Sequence, residues 1–201
     1  MRRLTPVVAA ALTLAACSDG SGPTGRPETD LSFVRQDTLA PPLLVLRDSF
    51  YAKVGDGREL RLNYESLSDP GQPGEEFLRF EVPGDGLQRK PDGSPFRAGD
   101  SVLITVTVVD SVRFLFLFEP AGLRFNPEHP ARLKVRYLNA NKDFDDDGGP
   151  DPDDDDIEML LDLWRQPVAG GLWFKLGAVK FEELDEIDAN IYGFSRFAVA
   201  W

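Results

Sequence analysis

Polar and hydrophobic residues alternate over short stretches of the chain from about residue 31 onward. Glu59 to Tyr64 (ELRLNY) and Ala131 to Leu138 (ARLKVRYL) show this period of two most clearly. Successive side chains of a strand point to opposite sides, so the alternation is typical of a strand with one buried face. Each of these runs therefore predicts a β-strand.

Other runs are almost continuously apolar and rich in β-branched and aromatic residues, which pack well on a pleated surface. Glycine and proline separate the runs, and Gly55-Asp56-Gly57 predicts a hairpin turn. Many short strands of this kind are typical of a sandwich or a barrel. We predict an all-β fold, an antiparallel β-sandwich. The predicted strands are 43–46, 50–54, 59–64, 76–82, 102–109, 112–118, 131–138, 157–164, 172–176, 181–187 and 194–201.

Two of these runs leave a second interpretation open. Ile157 to Trp164 (IEMLLDLW) and Glu182 to Asp188 contain good helix formers, so each is also compatible with a helical turn. Both are too short to change the all-β prediction. Pro83 to Asp100 is rich in glycine, proline and aspartate and predicts a long loop.

The first residues have the pattern of an export signal. Arg2 and Arg3 precede an apolar stretch, Leu4 to Leu14, and small residues follow it. The stretch is shorter than the roughly 20 apolar residues that span a bilayer. A short positive start, an apolar segment and a small-residue cut site are typical of a secretory signal peptide. We therefore predict that residues 1–16 are removed.

The segment Leu14-Ala15-Ala16-Cys17 resembles the lipobox of bacterial lipoproteins. The resemblance implies cleavage before Cys17, diacylglycerol on its sulfur and acylation of the new amino terminus. The alternative is an ordinary secreted protein in which this cysteine stands here by chance. We expect a chain exported to the cell envelope and anchored by lipid to the inner or outer membrane. Because Cys17 is the only cysteine, lipidation leaves no thiol for a disulfide or a nucleophile.

Composition predicts how the mature chain is divided. Residues 17–30 (CSDGSGPTGRPETD) have almost no apolar side chains, so we expect a flexible tether ahead of a domain at 31–201. The formal net charge is -12, which argues against nucleic acid as a partner, because phosphate binding needs clustered Lys and Arg. Nine aspartates fall between Asp143 and Asp156, so most of the imbalance comes from one segment.

This acidic segment is the strongest chemical signal in the sequence. Its spacing, D-x-D-x-D-G-x-x-D-x-x-D, resembles the calcium loops of thrombospondin-type repeats and matches EF-hand positions 1, 3, 5, 6, 9 and 12. We predict weak Ca²⁺ binding, at about 10⁻⁴ to 10⁻³ M as in extracellular modules. The alternative is a solvated acidic hairpin tip, and Pro150 and Pro152 favour an extended loop there. The candidate ligands are Asp143, Asp145, Asp147, Asp151 and Asp154.

A further resemblance covers about residues 76–201. Phe118 to Phe125 (FEPAGLRF) and Phe194 to Trp201 (FSRFAVAW) are its most specific segments, after Phe80-Glu81-Val82-Pro83 and Ile104 to Val108. They resemble the ZU-five type β-sandwich of ankyrins, netrin receptors, tight-junction scaffolds and bacterial lipoproteins. The loop after Pro83 is longer than in that pattern. The resemblance implies a structural or protein-interaction module with no cofactor and no active site.

Enzymatic function is not expected, although two alternatives remain open. His129 is the only histidine and lies in a turn, and no G-x-S-x-G motif occurs. A glycosidase-like carboxylate pair stays possible because acidic residues are plentiful. Trp164 and Trp173 can form a sugar-stacking face, as in a carbohydrate-binding lipoprotein. We predict a non-catalytic, lipid-anchored envelope protein whose partner is an envelope protein or a glycan.

Overall fold

The computed structural model describes residues 24–201. The predicted signal peptide, the lipidation site Cys17 and residues 17–23 of the predicted tether lie outside the described residues. Between residues 24 and 201, no helix combines the length and the apolar character that crossing a bilayer requires.

The described chain forms thirteen strands, one α-helix and two 3₁₀ turns. The strands are β1 (Arg47–Lys53), β2 (Arg58–Glu65), β3 (Pro73–Val82), β4 (Leu87–Arg89), β5 (Ser101–Asp110), β6 (Leu115–Glu119), β7 (Arg124–Phe125), β8 (Ala131–Arg136), β9 (Asp162–Gln166), β10 (Phe174–Lys175), β11 (Val179–Phe181), β12 (Glu186–Ile191) and β13 (Arg196–Ala200). The helix is α1 (Pro152–Leu160), and the 3₁₀ turns are Glu28–Asp30 and Glu182–Leu184.

Two antiparallel sheets make up most of the fold. The six-stranded sheet has the order β1-β5-β6-β13-β9-β10, and the five-stranded sheet has the order β11-β12-β8-β3-β2. Strands β4 and β7 form a small separate ribbon. The prediction of an all-β, antiparallel β-sandwich is confirmed.

Aromatic side chains from the two sheets meet in the core. Phe80 on β3 lies 4.9 Å from Phe118 on β6, measured between ring centroids, and Phe77 lies 5.7 Å from Phe116. All four side chains are fully buried. Alternation along β6 places Phe116 and Phe118 on the inner face. Phe77 and Phe80 of β3 are three residues apart and reach the same face because the register with β2 shifts between Leu78 and Glu76, which makes Phe77 the extra residue of a β-bulge. Edge-to-face contacts of this kind add about 0.5–1.5 kcal/mol each to the burial of apolar surface.

The turn at Gly55-Asp56-Gly57 is present, but the hairpin predicted around it is wrong. Strand β1 pairs with β5 along its whole length, whereas β2 pairs with β3, so the turn leads from one sheet to the other. Turn residues determine a local reversal of the chain. Which strands pair depends on which faces are buried, and Leu60 and Leu62 of β2 face the core beside β3. The first predicted strand, 43–46, is wrong, because these residues precede β1 and only Leu43 forms an isolated bridge, to Tyr64.

The predicted strand at 157–164 is wrong in its first half. Helix α1 runs from Pro152 to Leu160, and β9 follows from Asp162. The helix starts where Asp151 caps it and Pro152 occupies its first turn. Three aspartates in that turn also stabilise the helix, because their negative charges lie at the positive end of the helix dipole. The second part of the acidic segment, from Asp151, is therefore a helix start. The helical alternative for 182–188 holds only for the short turn Glu182–Leu184.

The folded part of the chain begins before residue 31, the predicted start of the domain. Arg26 exchanges two backbone hydrogen bonds of 2.8 Å with Trp173, and its guanidinium lies 5.5 Å from the ring centre of Trp164. The outer face of the six-stranded sheet carries a second apolar cluster, which includes both tryptophans and Leu31. Covering this cluster removes apolar surface from water. This gain holds residues 24–30 against the sheet, although they carry few apolar side chains themselves.

The buried carboxylate of Asp162, at the junction of α1 and β9, generates a pH-dependent prediction. It is 4% exposed, accepts a 2.9 Å hydrogen bond from the Ala178 N–H, and lies 3.7 Å from Lys175 Nζ. Burial raises the pKa of the Asp162 carboxyl, and these two partners offset that only in part. The ionised form therefore destabilises the fold above the raised pKa, and protonation relieves this as the pH falls.

We expect the parent to gain stability relative to Asp162→Asn as the pH falls from 7 to 3, by on the order of 1 kcal/mol. Asn keeps an acceptor for Ala178 but does not titrate. The measurement is urea unfolding of both proteins across this pH range. Asp48→Asn, at an exposed position of β1, is the matched control. A parent–variant difference that does not change with pH would contradict the assignment.

Candidate metal site in the acidic loop

The acidic part of the loop between β8 and α1 is anchored to the core by Phe144. Phe144 is 7% exposed, belongs to the main core and packs edge-to-face on Trp201 at 5.7 Å. Its neighbours Asp143 and Asp145 remain half-buried and exposed, respectively. The apolar ring between two aspartates thus holds the acidic segment against the sandwich, with carboxylates on either side of the anchor.

Three of the five predicted ligands come together in this loop. Asp143, Asp145 and Asp147 each offer a carboxylate oxygen, and these oxygens lie within 4.8 Å of one another. The backbone N–H of Asp147 donates to Asp143 Oδ1 at 3.0 Å and to Asp145 Oδ1 at 3.1 Å. The N–H of Gly148, whose φ is +127°, donates to Asp143 Oδ2 at 3.2 Å. The tight turn therefore draws the carboxylates together, and this group can hold a metal ion.

Repulsion among the carboxylates contributes to a raised pKa at Asp145 and at Asp147. Burial, followed by the charges of Asp154, Asp151 and Asp143, raises the pKa of Asp145. The charge of Asp145 is the largest cause that raises the pKa of Asp147. A raised carboxyl pKa means that the ionised form is disfavoured where it stands. A divalent cation among these oxygens would remove that disadvantage.

The other two predicted ligands are engaged at the helix start. The Asp151 carboxylate accepts a 2.8 Å hydrogen bond from the Asp153 N–H and caps α1. Asp154 is 3% exposed and accepts from the N–H groups of Phe144, Asp145 at 3.3 Å and Asp151 at 2.9 Å. Burial raises the pKa of Asp154, but these three donors outweigh it and the pKa lies below its ordinary value.

Asp154 therefore fastens the beginning of the loop to its end. Both of its oxygens are occupied by backbone donors, and neither it nor Asp151 belongs to the close group of three. The sequence contained a signal for this role, since Asp-x-x-Asp with Pro152 between them has the form of a capping box. The same two aspartates also fit positions 9 and 12 of a calcium loop, so the pattern alone does not distinguish the two roles.

A cavity of about 500 Å³ opens beside the group. Asp143 and Asp145 form part of its wall, together with Phe33, Trp201 and Arg113. Asp146, the remaining aspartate of the turn, points to Arg35 instead, with 3.1 Å between Oδ2 and Nη1. Ca²⁺ takes 6–8 oxygen ligands. Three carboxylates would leave coordination positions that water or a ligand in the cavity can fill.

The two tryptophans considered for sugar stacking are buried. Trp164 is 3% exposed, and its indole N–H donates to the Ala200 carbonyl at 3.0 Å. Trp173 is 0% exposed and packs on Phe33. Their rings belong to the cluster under residues 24–36 and are not available to a sugar from solvent. His129 is exposed in its turn, 3.1 Å from an Asp85 carboxylate oxygen.

We found no match for this chain among protein-family models, curated proteins or solved structures. The resemblances to bacterial lipoproteins and to the ZU-five type sandwich therefore remain predictions from the sequence.

Removal of the helix cap Asp151, which lies outside the group of three carboxylates, is expected to destabilise the fold. We expect Asp151→Ala to lower the free energy of unfolding by about 1 kcal/mol, because the N–H groups at the start of α1 lose their acceptor. Chemical unfolding of the purified chain measures this. Asp156→Ala, an exposed position in the same helix, is the control. Equal effects of the two substitutions would show that the cap hydrogen bond contributes nothing.

Proposed function

We propose that the chain is an exported, lipid-anchored, non-catalytic module of the cell envelope, stabilised by Ca²⁺ in its acidic loop, that interacts with another envelope component. The observation that carries the calcium proposal is the close group of carboxylate oxygens of Asp143, Asp145 and Asp147. The anchor rests on the segment Leu14 to Cys17. The interaction role rests on the resemblance to the ZU-five type sandwich.

The ligand chemistry favours Ca²⁺ over other common ions. All three ligands are carboxylates, which suit hard cations, whereas zinc sites use Cys, His and tetrahedral geometry. Mg²⁺ needs near-ideal octahedral geometry and gives up its water reluctantly, while Ca²⁺ accepts irregular arrangements. Position 7 of the loop pattern, which supplies a backbone carbonyl in EF-hands, is Gly149. Two of the three aspartates are exposed, which is consistent with weak binding.

Calcium would act on the structure through the loop. An ion between these carboxylates replaces mutual repulsion by attraction, so the loop is stabilised without any catalytic step. Phe144 and Asp154 connect the same loop to the core and to the start of α1. Binding should therefore raise the thermal stability of the whole domain, because a ligand that binds only the folded state shifts the folding equilibrium.

Calorimetric titration of Ca²⁺ into the full chain, made non-lipidated by Cys17→Ala, tests the calcium proposal. We expect a dissociation constant of about 10⁻⁴ to 10⁻³ M and a rise in Tm. Both should be lost in the Asp145→Asn, Asp147→Asn double variant. The charge-matched control is Asp153→Asn, Asp156→Asn, which removes two aspartates of α1 outside the group. Similar losses in both variants would point to nonspecific charge screening and reject the site.

The lipid anchor is tested separately in a bacterial host. We expect mass spectrometry of the exported protein to find acyl chains on Cys17, and Cys17→Ala to move the protein from the membrane fraction to the soluble fraction. The physical reason is that each buried CH₂ contributes about 0.8 kcal/mol to membrane binding. Cys17→Ser gives an independent substitution of the same residue. An unmodified Cys17 in the exported protein would reject the anchor.

A further inference from the structure

The turn between β9 and β10 is uncharged and exposes apolar side chains to solvent. Its residues, 167–172 (PVAGGL), include no Asp, Glu, Lys or Arg. Val168 is 71% exposed and Leu172 is 47% exposed. A 2.9 Å hydrogen bond from the Gly171 N–H to the Val168 carbonyl closes the turn. The fold therefore presents a defined apolar tip to solvent.

Two arginine side chains lie beside this turn. Arg196 on β13 pairs with Gln166, the last residue of β9, and its Nη1 donates to Gln166 Oε1 at 3.1 Å. Arg165, one residue earlier on β9, donates through Nε to the buried Ser195 hydroxyl at 2.9 Å. Within residues 24–201, the Nη groups of Arg165 have no acceptor, and they are not fully buried. Ser195 thus holds a guanidinium whose outer N–H groups are free to bind an anion.

A third arginine, Arg124 on β7, adds to the positive charge here. It forms a backbone bridge with Gly193, and a Cβ on that glycine would lie 3.6 Å from Arg165 Nη2. Burial, and then the charge of Arg124, lower the pKa of Arg165. The charged guanidinium is therefore disfavoured where it stands, and an anion beside the two arginines would remove that disadvantage.

No carboxylate of the described chain neutralises these three arginines. Within residues 24–201, none lies within 4.0 Å of their guanidinium groups. The segments that carry them, 120–127, 163–176 and 189–201, contain no Asp or Glu, and Glu119 lies 3.8 Å from Arg47. The net charge of the chain is -12, but exposed charges act over only about 8 Å at physiological ionic strength. This surface is therefore positive on an acidic protein.

The chain enters the described domain at the same place. Arg26 exchanges backbone hydrogen bonds with Trp173, the first residue after the turn, whereas Phe33 bridges Ala200 at the far end of β13. Residues 26–33 therefore run along the sheet away from the turn, and the residues before them lie beside it.

The proposed lipid on Cys17 is close to this entry point along the chain. A Cβ on Gly25 would lie 2.9 Å from the Leu172 Cβ, so the first described residues contact the turn. Cys17 and Thr24 stand seven positions apart, and a chain of that length reaches at most about 25 Å. The anchor would therefore hold the turn near the bilayer.

The acidic loop lies at the opposite end of β13. Arg196 begins this strand and Ala200 ends it, and Phe144 of the loop packs on Trp201 just beyond that end. An anionic lipid surface would attract the arginines at one end and repel the aspartates at the other, so charge and chain entry favour the same orientation.

We propose that Val168, Leu172, Arg124, Arg165 and Arg196 form a basic tip that docks on the bilayer holding the Cys17 lipid. The arginines contact the phosphates of anionic lipid head groups, because guanidinium groups match the geometry of phosphate oxygens. The two apolar side chains enter the boundary between head groups and acyl chains. This inference rests on the proposed lipid anchor and adds the orientation of the domain, with the acidic loop directed away from the membrane.

Amide hydrogen exchange of the chain on vesicles tests the docking. The proposed mature chain, residues 17–201, is coupled through its single thiol, Cys17, to a maleimide lipid in phosphatidylcholine vesicles with or without phosphatidylglycerol, in EDTA. We expect slower exchange in 167–173 on the phosphatidylglycerol vesicles and unchanged exchange in 143–149. Equal exchange of 167–173 on the two kinds of vesicle, or slowing in 143–149 instead, would overturn the proposal.

Arginine variants separate head-group contact from nonspecific charge effects. Arg124→Gln with Arg196→Gln should lower the ratio of docked to undocked protein about tenfold or more, because each arginine near an anionic surface strengthens binding about fivefold. Arg61→Gln with Arg132→Gln, exposed arginines of the other sheet, removes the same charge and should leave the slow exchange of 167–173 in place. Equal losses in the two pairs would overturn the basic tip.

An apolar variant tests insertion into the interface. Val168→Asp should abolish the slowing of exchange, because a charged side chain at this position resists burial between head groups. Val112→Asp, at a 60% exposed position in the turn between β5 and β6, is the matched control. Equal Tm values of each variant and the parent establish that the fold is kept. Unchanged slowing in Val168→Asp would overturn the proposed insertion.

Chemical coupling at Cys17 separates docking from the proposed lipidation. Acyl chains on Cys17 in the exported protein, together with no slowing of exchange on the vesicles, would reject the docking alone. An unmodified Cys17 in the exported protein would reject the anchor, whereas slower exchange of 167–173 on phosphatidylglycerol vesicles would still support the lipid contact.

Discussion

Burial of aromatic side chains between the two sheets is the constraint on which the rest of the structure depends. Phe77 and Phe80 of β3 meet Phe116 and Phe118 of β6 across the sandwich, and these contacts fix how the sheets face each other. With Cys17 acylated as proposed, no disulfide can contribute, so the apolar core has to hold the fold. The acidic loop is attached to this core through Phe144.

The acidic loop illustrates how the core controls chemistry. Three aspartates would separate in a free peptide, because their charges repel each other. Here Phe144 is inserted into the core, and the Asp154 carboxylate holds both ends of the loop through backbone N–H groups. Folding energy therefore keeps Asp143, Asp145 and Asp147 close, and the raised pKa of Asp145 and of Asp147 reflects that cost. A site held together against repulsion is suited to a divalent cation.

Helix α1 connects two acidic regions with different geometries. At its beginning, three carboxylate oxygens lie within 4.8 Å of one another, a spacing that suits a single ion. Near its end, four carboxylates surround a cavity, and lysine side chains of the chain itself pair with three of them. The same residue type thus has two arrangements, because spacing and neighbouring charges decide what can neutralise it.

The sequence by itself determined the all-β class, most strand positions and the group Asp143, Asp145 and Asp147, because alternation and short spacing are local properties of the chain. Only the tertiary structure decided that β1 and β2 belong to different sheets, since strand pairing depends on contacts between segments that are far apart in sequence. It also decided that Asp154 binds backbone N–H groups, and that Glu182 and Asp185 join α1 around one cavity. Such contacts between distant segments depend on how the core packs, and no local pattern encodes them.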